Sequence, residues 1–360
     1  MRVIYCWEAG RLDVRDYRTN PYGALLKAGL ESRGHRVTGA PYYQLRFRDL
    51  FGNAGADVLH MNHLYHYYKH PWRLVSLLRM ALLVLWVLLA RILGMRIVWT
   101  LHNLYPHETR SRAIDKLARL LLCRMAGSAI VHCEKARAEL EREFGRTHNV
   151  HVVPHGNYID AYPPAISKKD ARLALGLPLD TFVILYFGNV RAYKGIETLI
   201  TAFGDADLPG AHLVIAGKSW PDSAGAEIEV AREAGAEGRI TTILKLPGGT
   251  FDGDEICELM SAADLVVLPF RQVLSSGSVM LALSYSNPVV CPRLGCLTEL
   301  VEDCEGAVLY DAGSHEGLVE ALRKGRSLDP RVASRAALDL ALEANWSSVA
   351  EKMERAYEAA

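Results

Sequence analysis

Short apolar runs alternate with amphipathic stretches along almost the whole chain, and one polar break divides the alternation in two. In the first half the runs "RVIYCW", "HRVTGA", "ADVLHMN", "RIVWTLHN", "SAIVHC" and "VHVVPHG" read as strands. Between them lie helical patterns: 21–34, which opens on Pro21 and stops at Gly34, then 113–126 and 135–145. Short buried strands separated by helices indicate a parallel sheet covered on both faces.

The break, "NYIDAYPPAISKKDAR", carries a proline pair among polar residues and reads as an interdomain linker. The alternation then restarts with strands at 181–188, 211–217, 240–246, 264–270 and 288–292, and helices at 193–203, 227–235, 254–263 and 278–286. The chain closes on a helical stretch. The expected architecture is α/β, with two doubly wound Rossmann-like domains: residues 1–160, residues 161–340, and a helix over 341–360 with the option of returning to the first domain. In such sheets ligands bind outside the carboxyl ends of the strands, so two of them are expected to face a common cleft.

The chain has 360 residues, more than one hydrophobic core usually serves. Lys plus Arg equals Asp plus Glu, 41 of each, which gives no argument for nucleic acid. The seven cysteines form no C-x-x-C pair, which speaks against zinc and a disulfide framework and for a reducing compartment. The N-terminus lacks the layout of a signal peptide. The longest apolar run, Met80 to Ala90, is eleven residues, short of the ~20 a bilayer span needs. With Arg73, Arg79, Arg91 and Arg96 around it, it reads either as a core helix or as one lying on an anionic membrane surface.

Three strand-end loops in the second half carry candidate chemistry. "FGNVRAYKG" has Gly188 for a sharp turn and puts Arg191 and Lys194 at a helix start. Cations gain nothing from that end of a helix dipole, so a phosphate held between them and the backbone N–H groups makes better sense of them. "IAGKSW" adds Gly217 and Lys218, a weak signal alone. In the third, Ser275, Ser276, Gly277 and Ser278 open an apolar helix with no carboxylate to repel an anion. Together they suit a diphosphate; serine N-capping is the plainer alternative. There is no G-x-x-x-x-G-K-[ST], and no G-x-G-x-x-G follows the first strand. The Asp252–Asp254 pair precedes a helix and reads as a cap.

At these loops the chain resembles the GT-B glycosyltransferases over nearly its whole length. "FGNVRAYKG" is similar to their phosphate-binding turn, "PHGNY" to their end-of-domain turn and "PVVCPRLGCLTELVED" to their strand–loop–Glu segment. The stretches "TLHNLYPHE", "NPY" and "VLPFRQVLSSGSVMLALS" resemble those of xanthan-type β-mannosyltransferases. One departure stands out. Many retaining relatives carry two glutamates flanking the last loop, where Val273 and Leu281 stand here. That leans toward inversion and leaves Glu299 as the nearest acid for the ribose.

The resemblance implies a metal-independent hexosyltransferase that needs no cofactor beyond its nucleotide-sugar donor. The implied sugar is mannose from GDP-mannose, transferred with inversion to a lipid-linked oligosaccharide or polysaccharide precursor. An inverting transfer needs a base for the acceptor hydroxyl, and the polar loop after the 96–100 strand supplies His102 and Glu108. His107 and Asn103 accompany them, and the "NPY" match adds Asn20 and Tyr22 on the acceptor side. Glu8, Asp13 and Asp16 are rival acids. The expected location is the cytoplasm, with Met80 to Ala90 in peripheral contact with the inner face of the membrane. A UDP-sugar transferase, a nucleotide-sugar epimerase and a non-catalytic nucleotide-sugar-binding protein are the alternatives.

Overall fold

The computed structural model describes residues 1–17, 20–41, 43–106, 111–219, 238–246 and 248–360. His107, Glu108 and the helix read at 227–235 therefore lie outside the described residues. The chain forms two compact units, Met1–Gly156 with Ala344–Ala360, and Asn157–Glu343.

The first unit holds a sheet of β1 (Arg2–Trp7), β2 (Arg36–Pro41), β3 (Val58–Met61), β4 (Arg96–Thr100), β5 (Ser128–Val131) and β6 (Val150–Val152). All pairs are parallel, in the order β2-β1-β3-β4-β5-β6. Their side chains are buried in four of the six strands almost without interruption, as parallel strands under helices require. The order reverses between β1 and β3, and the exits of those strands form the crevice at which open sheets of this kind take ligands.

The terminal helical stretch is two helices, Pro330–Glu343 and Trp346–Glu358. Asn345 separates them by capping the second, its side chain accepting from the Ser348 N–H at 2.9 Å. Val349, Ala350, Met353, Ala356 and Tyr357 of that helix lie in the core of the first unit with Val3, Tyr22, Leu26 and Val98. Gly29 on the Tyr22–Ser32 helix lets the two helices meet: a Cβ there would stand 2.9 Å from the Trp346 carbonyl oxygen.

The Arg73–Ile92 helix is 20 residues, not the eleven its apolar run suggested, and by length and composition alone it could cross a membrane. One face is core: Met80, Leu83, Trp86, Val87 and Ala90 are buried. On the other, Leu74, Leu78, Leu82, Leu85 and Ile92 are exposed. Neither reading of the run excludes the other, because the helix is apolar all round.

The second unit holds β7 (Phe182–Val190), β8 (Ala211–Ser219), β9 (Ile240–Lys245), β10 (Leu265–Val267), β11 (Val289–Pro292) and β12 (Ala307–Tyr310), also parallel, in the order β12-β11-β10-β7-β8-β9. Its reversal point is between β7 and β10. The polar break is fastened within this unit: Asn157 Nδ2 donates to the Ala341 carbonyl at 2.9 Å, and the Tyr158 N–H to Ser284 Oγ at 2.9 Å. Asp252 and Glu255 form a reciprocal capping box on the Gly253–Ala262 helix, so Asp252 is its cap and Asp254 lies in its first turn.

Candidate functional site

Beside the reversal point of the second sheet, β7 and β8 pair with Gly188 opposite Gly217. A Cβ on Gly217 would lie 1.8 Å from the Gly188 carbonyl oxygen, so glycine at 217 serves strand packing whatever else it touches. Lys218 sits opposite Asn189 in the register, half-buried. Beyond β7 the chain turns through Arg191 and a short 3-10 segment, Ala192–Lys194, to Gly195 at φ 70°. Only glycine fits there: a Cβ would also meet the Pro269 carbonyl oxygen at 2.3 Å. The Arg271 N–H donates to the Tyr193 carbonyl at 2.9 Å, which locks this turn to the loop leaving β10.

The Lys194 ammonium stands 4.0 Å from the Phe270 ring centroid and 5.2 Å from that of Tyr193. No carboxylate pairs with it among the described residues; Glu197, one turn into the helix, is taken by Arg271. Burial, and then the like charge of Arg191, lower the Lys194 pKa to about 8. Ser276 caps the Gly277–Ser284 helix, accepting from the Val279 N–H at 3.5 Å, so the capping reading holds for that serine. Ser278 Oγ lies 3.7 Å from the position of a Cβ on Gly188, which puts the serine loop against the end of β7. Ser275 and Gly277 are half-buried beside it. Glu299 is exposed on the Cys296–Val301 helix, whose first N–H donates to the Leu274 carbonyl at 2.7 Å. Cations, glycines and two helix starts thus meet at one strand-end region.

In the first unit the exits of neighbouring strands each deliver a histidine: His63 after β3, His102 after β4, His132 after β5 and His155 after β6. His63 stacks on His102 with centroids 4.9 Å apart, and His132 lies 5.0 Å from it. Tyr22 walls the cluster, its ring 5.8 Å from His102 and 4.8 Å from His155. Its hydroxyl is buried without a hydrogen-bond partner among the described residues. Asn20 holds the start of the Tyr22–Ser32 helix: its Oδ1 accepts from the Tyr22 N–H at 2.9 Å and its own N–H donates to Glu8 at 3.2 Å. Asp16 pairs with Arg11 at 3.3 Å and Asp13 accepts from the Arg15 N–H, so these rival acids are occupied within their own loop. Asn103 is half-buried beside His102.

Each ring nitrogen of His102 faces a polar atom. Nε2 is 3.0 Å from Asn62 Oδ1, and Nδ1 is 3.2 Å from His132 Nε2. Burial, with the neighbouring imidazoles, holds the His102 pKa well below its ordinary value. The same causes lower His63 to about 4 and His155 to about 3. Sequence reading overlooked Asn62, His63, His132 and His155. The available signal was a polar ring at the end of each of four successive apolar runs, "HMNH", "TLHN", "IVHC" and "VVPH".

Residues 181–325 match the family described as Glycosyl transferases group 1. The chain is 29% identical to GDP-mannose:glycolipid 4-beta-D-mannosyltransferase of Xanthomonas campestris pv. campestris over 243 residues, 66% of this chain and 61% of that protein. It therefore spans less than two thirds of that relative's length. It is 26% identical over 366 residues to D-inositol 3-phosphate glycosyltransferase of Corynebacterium aurimucosum, covering 96% of this chain and 81% of that one. Anabaena HepE in complex with UDP and glucose matches with a TM-score of 0.73 at 16% identity, over 99% of this chain and 98% of that chain. The two parallel six-stranded sheets are those of the GT-B fold.

Proposed function

We propose that the protein transfers a hexose from a nucleoside-diphosphate sugar to a glycan acceptor. The observation that carries this reading is Lys194: a half-buried ammonium beside Arg191, depressed to about 8, with no carboxylate partner among the described residues. Two such cations at a helix start, with a serine-capped helix start against the same strand end, suit a diphosphate. They neutralise the departing diphosphate, so transfer proceeds without a divalent ion. Removing one preorganised donor of this kind commonly costs ~10²–10³-fold in rate.

The donor is GDP-mannose and the acceptor a lipid-linked oligosaccharide or polysaccharide precursor, by similarity to the Xanthomonas enzyme. Val273 and Leu281 in place of a glutamate pair favour inversion, with His102 as the base. The exposed leucine face of the Arg73–Ile92 helix rests on the inner face of the cell membrane, where such an acceptor would be met.

Thermal unfolding with GDP, GDP-mannose, UDP and UDP-glucose, each with EDTA and with Mg²⁺, tests the donor. A ligand at a hundredfold excess over its Kd stabilises by about 2.7 kcal/mol, several degrees for a protein of this size. GDP and GDP-mannose are expected to give that shift in EDTA. A shift confined to UDP species would move the donor to the class bound in the HepE structure. No shift with any nucleotide would overturn the reading.

A further inference from the structure

The hydrogen bonds around His102 can be counted proton by proton. From one end to the other the chain of partners is the Val153 carbonyl, His132 Nδ1 at 2.9 Å, His132 Nε2, His102 Nδ1 at 3.2 Å, His102 Nε2 and Asn62 Oδ1 at 3.0 Å. Both ends are acceptors. The carbonyl is one by nature, and Asn62 is fixed as one because its Nδ2 donates to the Cys6 carbonyl at 2.9 Å. Turning that amide over would set two oxygens against each other. Three gaps therefore need three protons, and two neutral imidazoles bring only two.

The position of the missing proton follows from the surroundings. His132 must donate from Nδ1 to the Val153 carbonyl, which leaves His132 Nε2 as an acceptor. The nitrogen–nitrogen gap has no donor but His102 Nδ1. Asn62 Oδ1, by contrast, has the Tyr5 hydroxyl 3.5 Å away as another donor. The third proton is therefore absent from the outer gap, between His102 Nε2 and Asn62. Around this pair stand His60 from β3, His63 from the loop after it, His155 from the exit of β6, Tyr5 from β1 and Tyr22 from its helix. None of these carries a negative charge at neutral pH to draw a proton onto the pair.

We infer that His132 and the Val153 carbonyl act as positioning groups that lock His102 in the Nδ1–H tautomer. The lone pair of Nε2 then faces an oxygen with no proton between them, and takes the proton of the acceptor hydroxyl as that contact with Asn62 opens. This rests on the transfer reaction proposed above. The acceptor O–H proton passes to Nε2 as the acceptor oxygen bonds to the anomeric carbon. The bond from that carbon to the diphosphate breaks, its electron pair leaving with the diphosphate. With the proton taken up, all three gaps are filled.

The test has one readout independent of activity. In protein labelled with ¹⁵N-histidine at pH 7.5, long-range ¹⁵N–¹H correlation should show His102 as the neutral Nδ1–H tautomer. An Nε2–H tautomer, or an imidazolium, would overturn the inference. His132→Leu removes the acceptor for Nδ1–H and should move His102 to the Nε2–H form. His132→Gln, whose amide oxygen can replace the lost nitrogen, should retain the Nδ1–H form. In transfer assays H132L should lose roughly 10²-fold or more in kcat, with the donor KM unchanged, and H132Q should recover most of it. Equal loss in both variants with an unchanged tautomer would reduce His132 to a packing role and overturn the inference. Nucleotide-induced thermal shifts in both variants verify folding. If the wild-type protein transfers no sugar, the reaction falls, while the tautomer spectrum still decides the proton arrangement.

Discussion

At the scale of single residues, Lys194 makes a prediction with two opposite signs. Its pKa is lowered from the usual 10.5 to about 8. Between those values the unfolded chain binds more protons than the folded one, so the ligand-free protein gains stability as pH rises from 8 toward 9. Diphosphate affinity does the reverse, because the ammonium that would meet it is being lost. Calorimetric titration of GDP should give a Kd that rises up to tenfold per pH unit above pH 8 and is flat from pH 6.5 to 7.5. Lys194→Met should bind weakly and without that pH dependence; a wild-type Kd in the variant would remove Lys194 from the site. This turn was legible in the sequence because two cations at a helix start conflict with the dipole, and a local conflict shows locally. His102 was half legible. Its partners were not, since a single polar residue at a strand end is common and Asn62 and His132 become neighbours only through the order β3-β4-β5. Gly217 was legible as special but for another reason: the Gly188 carbonyl, distant in sequence, is what a side chain there would strike.

At the scale of elements, eleven of the twelve strands follow the apolar periodicity, because parallel strands buried on both faces leave continuous runs; the edge strand β12, Ala307–Tyr310, is mostly half-buried and is absent from the sequence reading. The Arg73–Ile92 helix shows where periodicity stops being enough. Arg79 ends the apolar run when letters are counted, yet in the fold it is exposed and its guanidinium donates to the Lys69 carbonyl at 2.8 Å, so the helix passes it without a break. Leu74, Leu78, Leu82, Leu85 and Ile92 recur every three to seven residues on the open side, with Trp72, 71% exposed, at the helix start. No acidic residue occurs from 58 to 107, while Lys69, Arg73, Arg79, Arg91 and Arg96 all do. Each basic group near an anionic surface contributes about 1 kcal/mol to binding, and tryptophan favours the headgroup level. The protein should float with vesicles containing phosphatidylglycerol and less with phosphatidylcholine alone. Leu78→Ser, Leu82→Ser and Leu85→Ser together should abolish flotation without lowering the thermal midpoint, since the three side chains face solvent. If the wild-type protein stays at the bottom of the gradient, the face has no membrane role.

At the scale of the whole molecule, the two units differ in what acid does to them. The first buries His60 and His132 outright and half-buries His63, His102 and His155. His60 is the deepest: its ring nitrogens face the Tyr357 and Thr100 hydroxyls at 2.8 and 2.7 Å, and burial lowers its pKa to about 3. Every one of these five is lowered, His63 to about 4 and His155 to about 3 among them. In the unfolded chain they titrate near pH 6.5. Below that value the unfolded state holds protons that the folded state refuses, so stability is complete above pH 6.5 and falls as pH drops toward 4. Each fully buried neutral histidine steepens that fall by about 1.4 kcal/mol per pH unit. In the second unit His212, among the described residues, is lowered by burial. Scanning calorimetry should therefore give a first-unit transition that moves down sharply between pH 6.5 and 4.5 and a second-unit transition that moves far less. Because Tyr357 belongs to the Trp346–Glu358 helix, His60→Gln should lift the acid sensitivity while loosening that helix, seen as faster amide exchange there at pH 7.5. Two transitions that shift together with pH would mean that buried histidines do not set the acid limit.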